Sequence, residues 1–326
     1  MTANPEPPTR ALWITKAAST EIRETDILDG PDHIQVSTLF SSISRGTERL
    51  VFHGQVPRSE HDTMRAPFQQ GDFTFPVKYG YSAVGTVQSG PRKGETVFAL
   101  YPHQTRFSIP SHAAISINPS VPPARAVLAA NMETALNIMW DAGVCAGSKV
   151  TIVGGGVVGA LTGYLCARTP GTEVCIVDIN PDKAALAGQL GCAFTTPENV
   201  PEDADMVIHT SATSSGLATA INAAGVEATI IEASWYGDHF TTVPLGTRFH
   251  QRRLRIISSQ VGRISAHMGA RWDYKKRLTK AIDLLADPVL DALISGETDF
   301  ADLPENYGSI LEDPSTLCHR IRYSNR

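Results

Sequence analysis

Hydrophobic positions follow two rhythms along this chain. Up to about residue 120 they alternate with polar ones in short runs, "ALWIT", "HIQVSTLF", "SAVGTVQSG", "ETVFALYP" and "TRFSIP", separated by Gly/Pro turns. Alternation places apolar side chains on one face of a strand, and helical spacing is scarce here, so a mostly β unit is predicted. From residue 122 the pattern changes. Pro122 and Pro123 suit a helix start, and the run "ARAVLAANMETALNIMWDA" stops near Gly143. Apolar strands "KVTIVG", "EVCIVDI", "DMVIHTS", "ATIIEAS" and "LRIISSQ" then alternate with helical segments. That order predicts βαβ units and an α/β fold with a doubly wound parallel sheet covered on both faces. Residues 265–285 are predicted helical again. Leu278, Ile282 and Leu285 form the apolar stripe, and Arg271, Lys275, Lys276, Arg277 and Lys280 form the wet face. No internal repeat or low-complexity linker interrupts the chain.

Composition narrows the class. A length of 326 residues suggests about two domains. With 42% hydrophobic and 19% charged residues the chain has a soluble globular balance. Its net charge of −5 gives no electrostatic case for nucleic acid or an anionic membrane. No apolar run is long enough to span a bilayer, and "MTANPEPPTR" lacks the apolar core of a signal peptide, so the expected location is the cytoplasm. The five cysteines are odd in number and form no C-x-x-C pair, and Cys166 and Cys175 fall within apolar stretches, which reads as buried thiols in a reducing compartment. The ten histidines show no close ligand spacing, and no metal site is expected.

The strongest chemical signal is "KVTIVGGGVVGALTGYLCA", a strand running through Gly154, Gly156 and Gly159 into a helix. In this G-x-G-x-x-G spacing Gly154 permits the tight turn. Gly156 lets a pyrophosphate approach the backbone, and Gly159 lets helix and strand pack closely. Val157 and Val158 open the helix, whose free N–H groups face the phosphates. The second strand ends at Asp178, where a carboxylate reaches the adenosine ribose hydroxyls. Asn180 and Pro181 already supply the next helix start, which argues against a purely structural Asp178. The expected cofactor is NAD rather than NADP, because Asp178 would repel a 2′-phosphate.

The layout, a β unit followed by a late nucleotide fold and a short return, resembles the medium-chain dehydrogenase/reductase superfamily. The stretches carrying the resemblance are "GETVFALYP", "VTIVGGGVVG" with "VDINPDK", and "FHQRRLRIISSQVGR". It implies a GroES-like β domain over residues 1–131, completed by 262–326, and a Rossmann domain over 132–261, with the active cleft between them. It also implies a homodimer joined through the nucleotide-domain sheets, "LRIISSQ" being a candidate strand. The zinc of that superfamily is not expected here. Arg45 in "SRGTERLVFHG" stands at a cysteine ligand's position, Gly80-Tyr81-Ser82 replaces the G-H-E motif, and no ligand residue lies near Ala130. The four-cysteine lobe is missing as well. "SRGTE", "NMETALN" and "RWDYKKRL" are most similar to a zinc-free branch resembling bacteriochlorophyllide 3-hydroxyethyl dehydrogenase.

Without zinc, hydride chemistry needs protein groups to position the substrate and handle one proton. Arg45 is a permanent cation able to stabilise an alkoxide, or else it pairs with Glu48. Tyr81 can donate to a carbonyl, or act as a base if a cation such as Arg45 lowers its pKa, or it is a packed aromatic. Glu133 is a candidate base on an apolar helix, or an exposed helix charge. By position Thr134 matches a threonine that lies against the nicotinamide in zinc relatives, and Ser211 is a further cofactor candidate. His53 and His250 read as surface or satisfied residues. The expected function is a zinc-independent NAD-linked secondary alcohol dehydrogenase or ketone reductase acting on a small molecule, with a hydroxyethyl-bearing tetrapyrrole as one substrate class. Reduction of conjugated C=C bonds and non-catalytic dinucleotide binding are the alternatives.

Overall fold

Short alternating runs fold into antiparallel strands in the first part of the chain. The computed structural model describes residues 8–27 and 29–324. In chain order come β1 (Arg10–Lys16), β2 (Ser19–Glu24), β3 (His33–Ser44), α1 (Arg45–Phe52), β4 (Gln70–Gly71), β5 (Val77–Lys78), β6 (Ala83–Val87), β7 (Thr96–Ala99), β8 (Arg106–Pro110) and β9 (Ile115–Ser116). There follow α2 (Pro123–Ala126), α3 (Ala129–Ala142), β10 (Lys149–Val153), α4 (Val157–Ala167), β11 (Glu173–Val177), α5 (Ala184–Gln189), β12 (Ala193–Thr195), β13 (Ala204–His209), α6 (Ser214–Ala223), β14 (Ala224–Glu232), β15 (Arg255–Ser258) and α7 (Tyr274–Asp283). The chain closes with β16 (Ile294–Asp299), α8 (Leu303–Glu312) and β17 (Cys318–Arg322).

Two units result, one built from the chain up to Ala130 together with Ile294 onward, the other from Asn131–Leu293. The first carries a seven-stranded sheet of order β16-β17-β3-β6-β7-β9, with β8 also paired to β3, and a four-stranded sheet β2-β1-β5-β4. The long strand β3 organises it, accepting β17 along its C-terminal half and β8 along its N-terminal half. Ile34, Val36, Val97, Phe107 and Ile109 form part of its core.

The second unit is a six-stranded sheet of order β12-β11-β10-β13-β14-β15, with every pairing parallel. Numbered within the unit this is 3-2-1-4-5-6, the Rossmann arrangement, whose direction of winding reverses between β10 and β13. Val153, Val177, Val207, Leu217, Ile221, Ile230 and Leu254 belong to its core. The architecture is therefore α/β, with a separate mostly β unit.

Four expectations are revised. The helix expected from residue 122 breaks into α2 and α3 around Val127 and Leu128. α7 starts only at Tyr274, where Asp273 caps it by accepting from the Lys276 N–H at 2.8 Å. Arg277 is not on the wet face: it is 2% exposed and donates to Glu133, Asn137 and the Val261 and Arg263 carbonyls. These bonds tie α7 to α3, so residues 262–293 group with the nucleotide sheet and the return to the β unit begins at Ile294.

Candidate functional site

β10 ends at Val153, and the chain turns through Gly154 at φ +110°. A side chain is excluded at two points of this turn. A Cβ on Gly154 would lie 2.8 Å from the Ser211 nitrogen, and one on Gly159 would lie 1.9 Å from the Gly154 carbonyl oxygen. Gly156 differs, since a Cβ there meets nothing within 4 Å. Its glycine is not required by packing, and the open space suits a phosphate group brought against the backbone. Gly156 is also the N-cap of α4 and offers no capping side chain, so the first N–H groups of that helix are left for a ligand. Val157 and Val158 are partly exposed at this rim.

Asp178 follows β11 at the edge of the same turn. Its Oδ2 accepts from the Gly155 N–H at 2.7 Å and from Lys183 Nζ at 2.9 Å, and its Oδ1 accepts from the Asn180 N–H at 2.9 Å. The carboxylate thus braces the glycine turn and already holds a cation. Lys183 was not singled out in the sequence; the short 3-10 turn Pro181–Lys183 after Asn180 brings it back to Asp178. Beside Asp178, Ile179 is 85% exposed, an apolar surface that a purine face can cover. The donor set and the open backbone fit a dinucleotide, with adenosine at Asp178 and pyrophosphate at Gly156.

On α3, Glu133 is buried and its Oε1 accepts from Arg277 Nε at 3.0 Å. Burial pushes its carboxyl above the ordinary range, against the pull of the guanidinium. The carboxylate is a partner of α7, and the alternative reading of Glu133 as an exposed helix charge is corrected. Thr134 is partly exposed next to it. Ser211 lies just beyond β13, half-buried, with its Oγ 2.7 Å from His209 Nε2.

In the β unit "ISRGTERL" forms the end of β3 and the start of α1. Arg45 Nε donates to the Leu311 carbonyl at 2.9 Å, and burial, then the like charge of Arg49, lowers its guanidinium from the ordinary value. The alternative Arg45–Glu48 pair does not form. Glu48 is fully buried and instead accepts from the Ser44 N–H at 2.7 Å, His103 Nε2 at 3.0 Å and the Tyr307 hydroxyl at 2.6 Å. Tyr81 is also corrected. Burial first, then the Glu48 charge, push its phenol up to about 12, against hydrogen bonds with Ser44 and Thr47. Arg45 does not lower it, so the phenol is a donor and a poor base. His103, 0% exposed between Glu48 and Ser41, was missed because its partners lie far along the chain.

These side chains do not fit a zinc ion. Ser82 Oγ donates to the Val127 carbonyl at 2.6 Å, Arg45 is a cation, and Tyr81 is held protonated. Among the described residues no three His, Cys, Asp or Glu side chains group as metal ligands. All five cysteines are free thiols. No helix of the described residues is long and apolar enough to cross a membrane.

No protein-family model matches the sequence, and no curated protein matches it either. Solved structures do match over nearly the whole chain. L-idonate 5-dehydrogenase from Escherichia coli K-12 has a TM-score of 0.78 at 15% identity, covering 97% of this chain and 98% of that one. A zinc-binding dehydrogenase from Sinorhizobium meliloti 1021, bound to NADP, has a TM-score of 0.76 at 18% identity, covering 97% and 100%. An alcohol dehydrogenase from E. coli CFT073, complexed with NADH, has a TM-score of 0.76 at 15% identity, covering 97% and 99%. The chain has the fold of these proteins, a Rossmann unit with a GroES-like β unit.

Proposed function

We propose that the protein is a nicotinamide-dependent oxidoreductase of the medium-chain dehydrogenase/reductase type, passing a hydride between NAD(P) and a secondary alcohol or ketone without a catalytic zinc. The observation that carries this reading is the glycine turn, open at Gly156 and flanked by Asp178, at the point where the parallel sheet reverses its winding. The similarity to dehydrogenases that hold NADP or NADH supports it. The cofactor, when bound, supplies the hydride acceptor or donor. Asp178 and Lys183 would hold the adenosine ribose, and the exposed Ile179 would offer its apolar surface to the adenine. Asp178 favours NAD, while Lys183 at 2.9 Å softens its repulsion of a 2′-phosphate, so the preference over NADP is modest. Thr134 and Ser211 contact the nicotinamide half.

Substrate handling falls to the β unit. The Tyr81 phenol, kept protonated, donates a hydrogen bond to the ketone oxygen and polarises the carbonyl, while solvent supplies the proton of the alcohol. Arg45 stabilises negative charge developing on that oxygen. A ketone or hydroxyethyl group on a large ring, such as a tetrapyrrole, is the substrate class we infer from the similarity of "SRGTE" and "NMETALN" to the zinc-free branch. We further propose a homodimer formed along β15. It is the terminal strand of the sheet, and Ile257 on it is 42% exposed. Titration with NADH and NADPH, followed by turnover of a secondary-alcohol panel, tests the function. Purified enzyme is expected to contain no stoichiometric zinc and to keep its activity in chelator, and one zinc per chain would refute the metal-free reading. Tyr81→Phe is expected to lower kcat by about 10²–10³ with NADH affinity unchanged.

A further inference from the structure

The carboxyl ends of β13 and β14 carry a polar cluster that the packing of the sheet does not require. His209, 0% exposed, pairs in register with Glu232 across the two strands. Its Nδ1 lies 2.7 Å from Glu232 Oε2, and its Nε2 lies 2.7 Å from Ser211 Oγ. The Tyr236 hydroxyl donates to the same carboxylate oxygen at 3.1 Å, and the Ser234 N–H donates to the other at 2.9 Å. The titratable groups facing His209 are Glu232 and Tyr236, while β10 presents Val153 beside it and α6 presents Gly216. Gly216 is needed there, because a Cβ would lie 2.0 Å from Ser211 Oγ. Burying an imidazole and a carboxylate is costly, and such clusters concentrate at functional sites.

The cluster lies on one side of the dinucleotide groove. Asp178 marks the adenosine end, beyond β11. The glycine turn after β10 takes the pyrophosphate. The other half of a bound dinucleotide then runs over β13 and β14, on the far side of β10 from β11. Ser211 borders that path, its backbone nitrogen closing on Gly154.

We propose that Ser211, His209 and Glu232 form a proton-coupled hydrogen-bond site for the nicotinamide carboxamide. The inference rests on the dinucleotide reading above. With neutral His209, Nδ1–H is donated to Glu232 and Nε2 accepts the Ser211 proton. Thr213 Oγ1 accepts from the Gly216 N–H at 3.0 Å and from Ser215 Oγ at 3.3 Å, so its own proton points to Ser211, 3.1 Å away. Ser211 then has little left to donate. When His209 takes up a proton, Nε2–H donates to Ser211 Oγ, and the serine O–H is released toward the ligand. A carboxamide carbonyl accepting that hydrogen bond therefore raises the proton affinity of His209. By linkage, binding takes up a proton, and affinity falls as pH rises.

The test is isothermal titration of the whole protein with NADH and with ADP-ribose, which lacks the nicotinamide, near neutral pH in buffers of different ionisation heat. NADH is expected to take up a fraction of a proton and ADP-ribose none. Ser211→Ala is expected to weaken NADH about three- to tenfold and to abolish the uptake, leaving ADP-ribose affinity unchanged. The proton count on the unaltered protein needs no variant, so a poorly folding Ser211→Ala leaves the test intact. Equal counts for the two ligands, or release with NADH, would overturn the site. Failure of both ligands to bind would instead overturn the dinucleotide reading.

Discussion

Replacing Glu133 by Gln separates a structural carboxylate from a catalytic one. In the structure Glu133 Oε1 accepts from Arg277 Nε at 3.0 Å, with the two side chains 7% and 2% exposed. Breaking a buried pair by removing one charge costs about 3–5 kcal/mol, because the remaining ion stays buried without its counter-charge. Two features place Glu133→Gln at the lower end, about 3 kcal/mol. Gln keeps an acceptor in the same shape, and Arg277 retains Asn137 Oδ1 at 2.6 Å and the Val261 carbonyl at 2.5 Å. A unit of about 160 residues shifts its Tm by roughly 2–4 °C per kcal/mol, so the expected drop is roughly 6–12 °C. Glu133→Leu with Arg277→Met should recover part of it, since Asn137 and Val261 still lose their donor. The assay is differential scanning calorimetry in parallel with NADH titration and turnover. A Tm equal to the parent's with kcat reduced by about 10² or more would restore Glu133 as a base and refute the ion-pair argument.

The glycines of the turn should separate in the same kind of measurement. Gly156→Ala is expected to leave Tm unchanged and to weaken NADH more than about tenfold, because its Cβ enters open space that the pyrophosphate needs. Gly159→Ala is expected to destabilise the nucleotide unit, its Cβ falling 1.9 Å from the Gly154 carbonyl oxygen. Lys78, fully buried with Gln104 Oε1 at 2.5 Å, has its pKa lowered to about 8 by burial. A base with a lowered folded pKa binds fewer protons folded than unfolded, so stability should rise by about 3 kcal/mol in all between pH 8 and 10.5. Lys78→Met should remove that rise and stabilise the protein at pH 7, as urea melts at several pH values would show.

Local patterns were legible and long-range partners were not. The alternation in "HIQVSTLF" and the apolar runs "KVTIVG" and "EVCIVD" reported their strands because periodicity is a property of neighbouring residues. The glycine turn was legible for the same reason. Arg277 looked like one more cation on a wet helix face, since nothing within a few residues reveals that Glu133, 144 positions earlier, lies against it. Glu48 was read with its neighbour Arg45, yet its partners are His103 and Tyr307, brought in by other elements. His209 and Glu232 were invisible as a pair until β13 and β14 aligned in register. The break at 294 followed from Arg277 too, because a buried guanidinium fixes which unit α7 belongs to.

Two clusters in this chain share one composition, a buried histidine against a glutamate that also accepts from a tyrosine. Their surroundings assign them different work. Around Glu48 every bond ends inside the β unit: His103 passes to Ser41, and Ser41 to the buried Tyr323. Tyr307 comes from α8, so that cluster joins α1, β3, α8 and the residue that follows β17, and Glu48, His103, Ser41, Tyr307 and Tyr323 are all buried. Around Glu232 the chain of bonds leads from fully buried His209 to half-buried Ser211 and Tyr236 at the end of the sheet where ligands bind. A histidine sealed on both nitrogens by buried partners has no way to report on a bound molecule. One whose second nitrogen meets a half-exposed hydroxyl has that route, and the difference follows from where the strands end rather than from the residues themselves. The same contrast explains why Tyr81, beside the sealed cluster, is suited to donate a hydrogen bond and not to transfer its proton: burial and the Glu48 charge both oppose its phenolate.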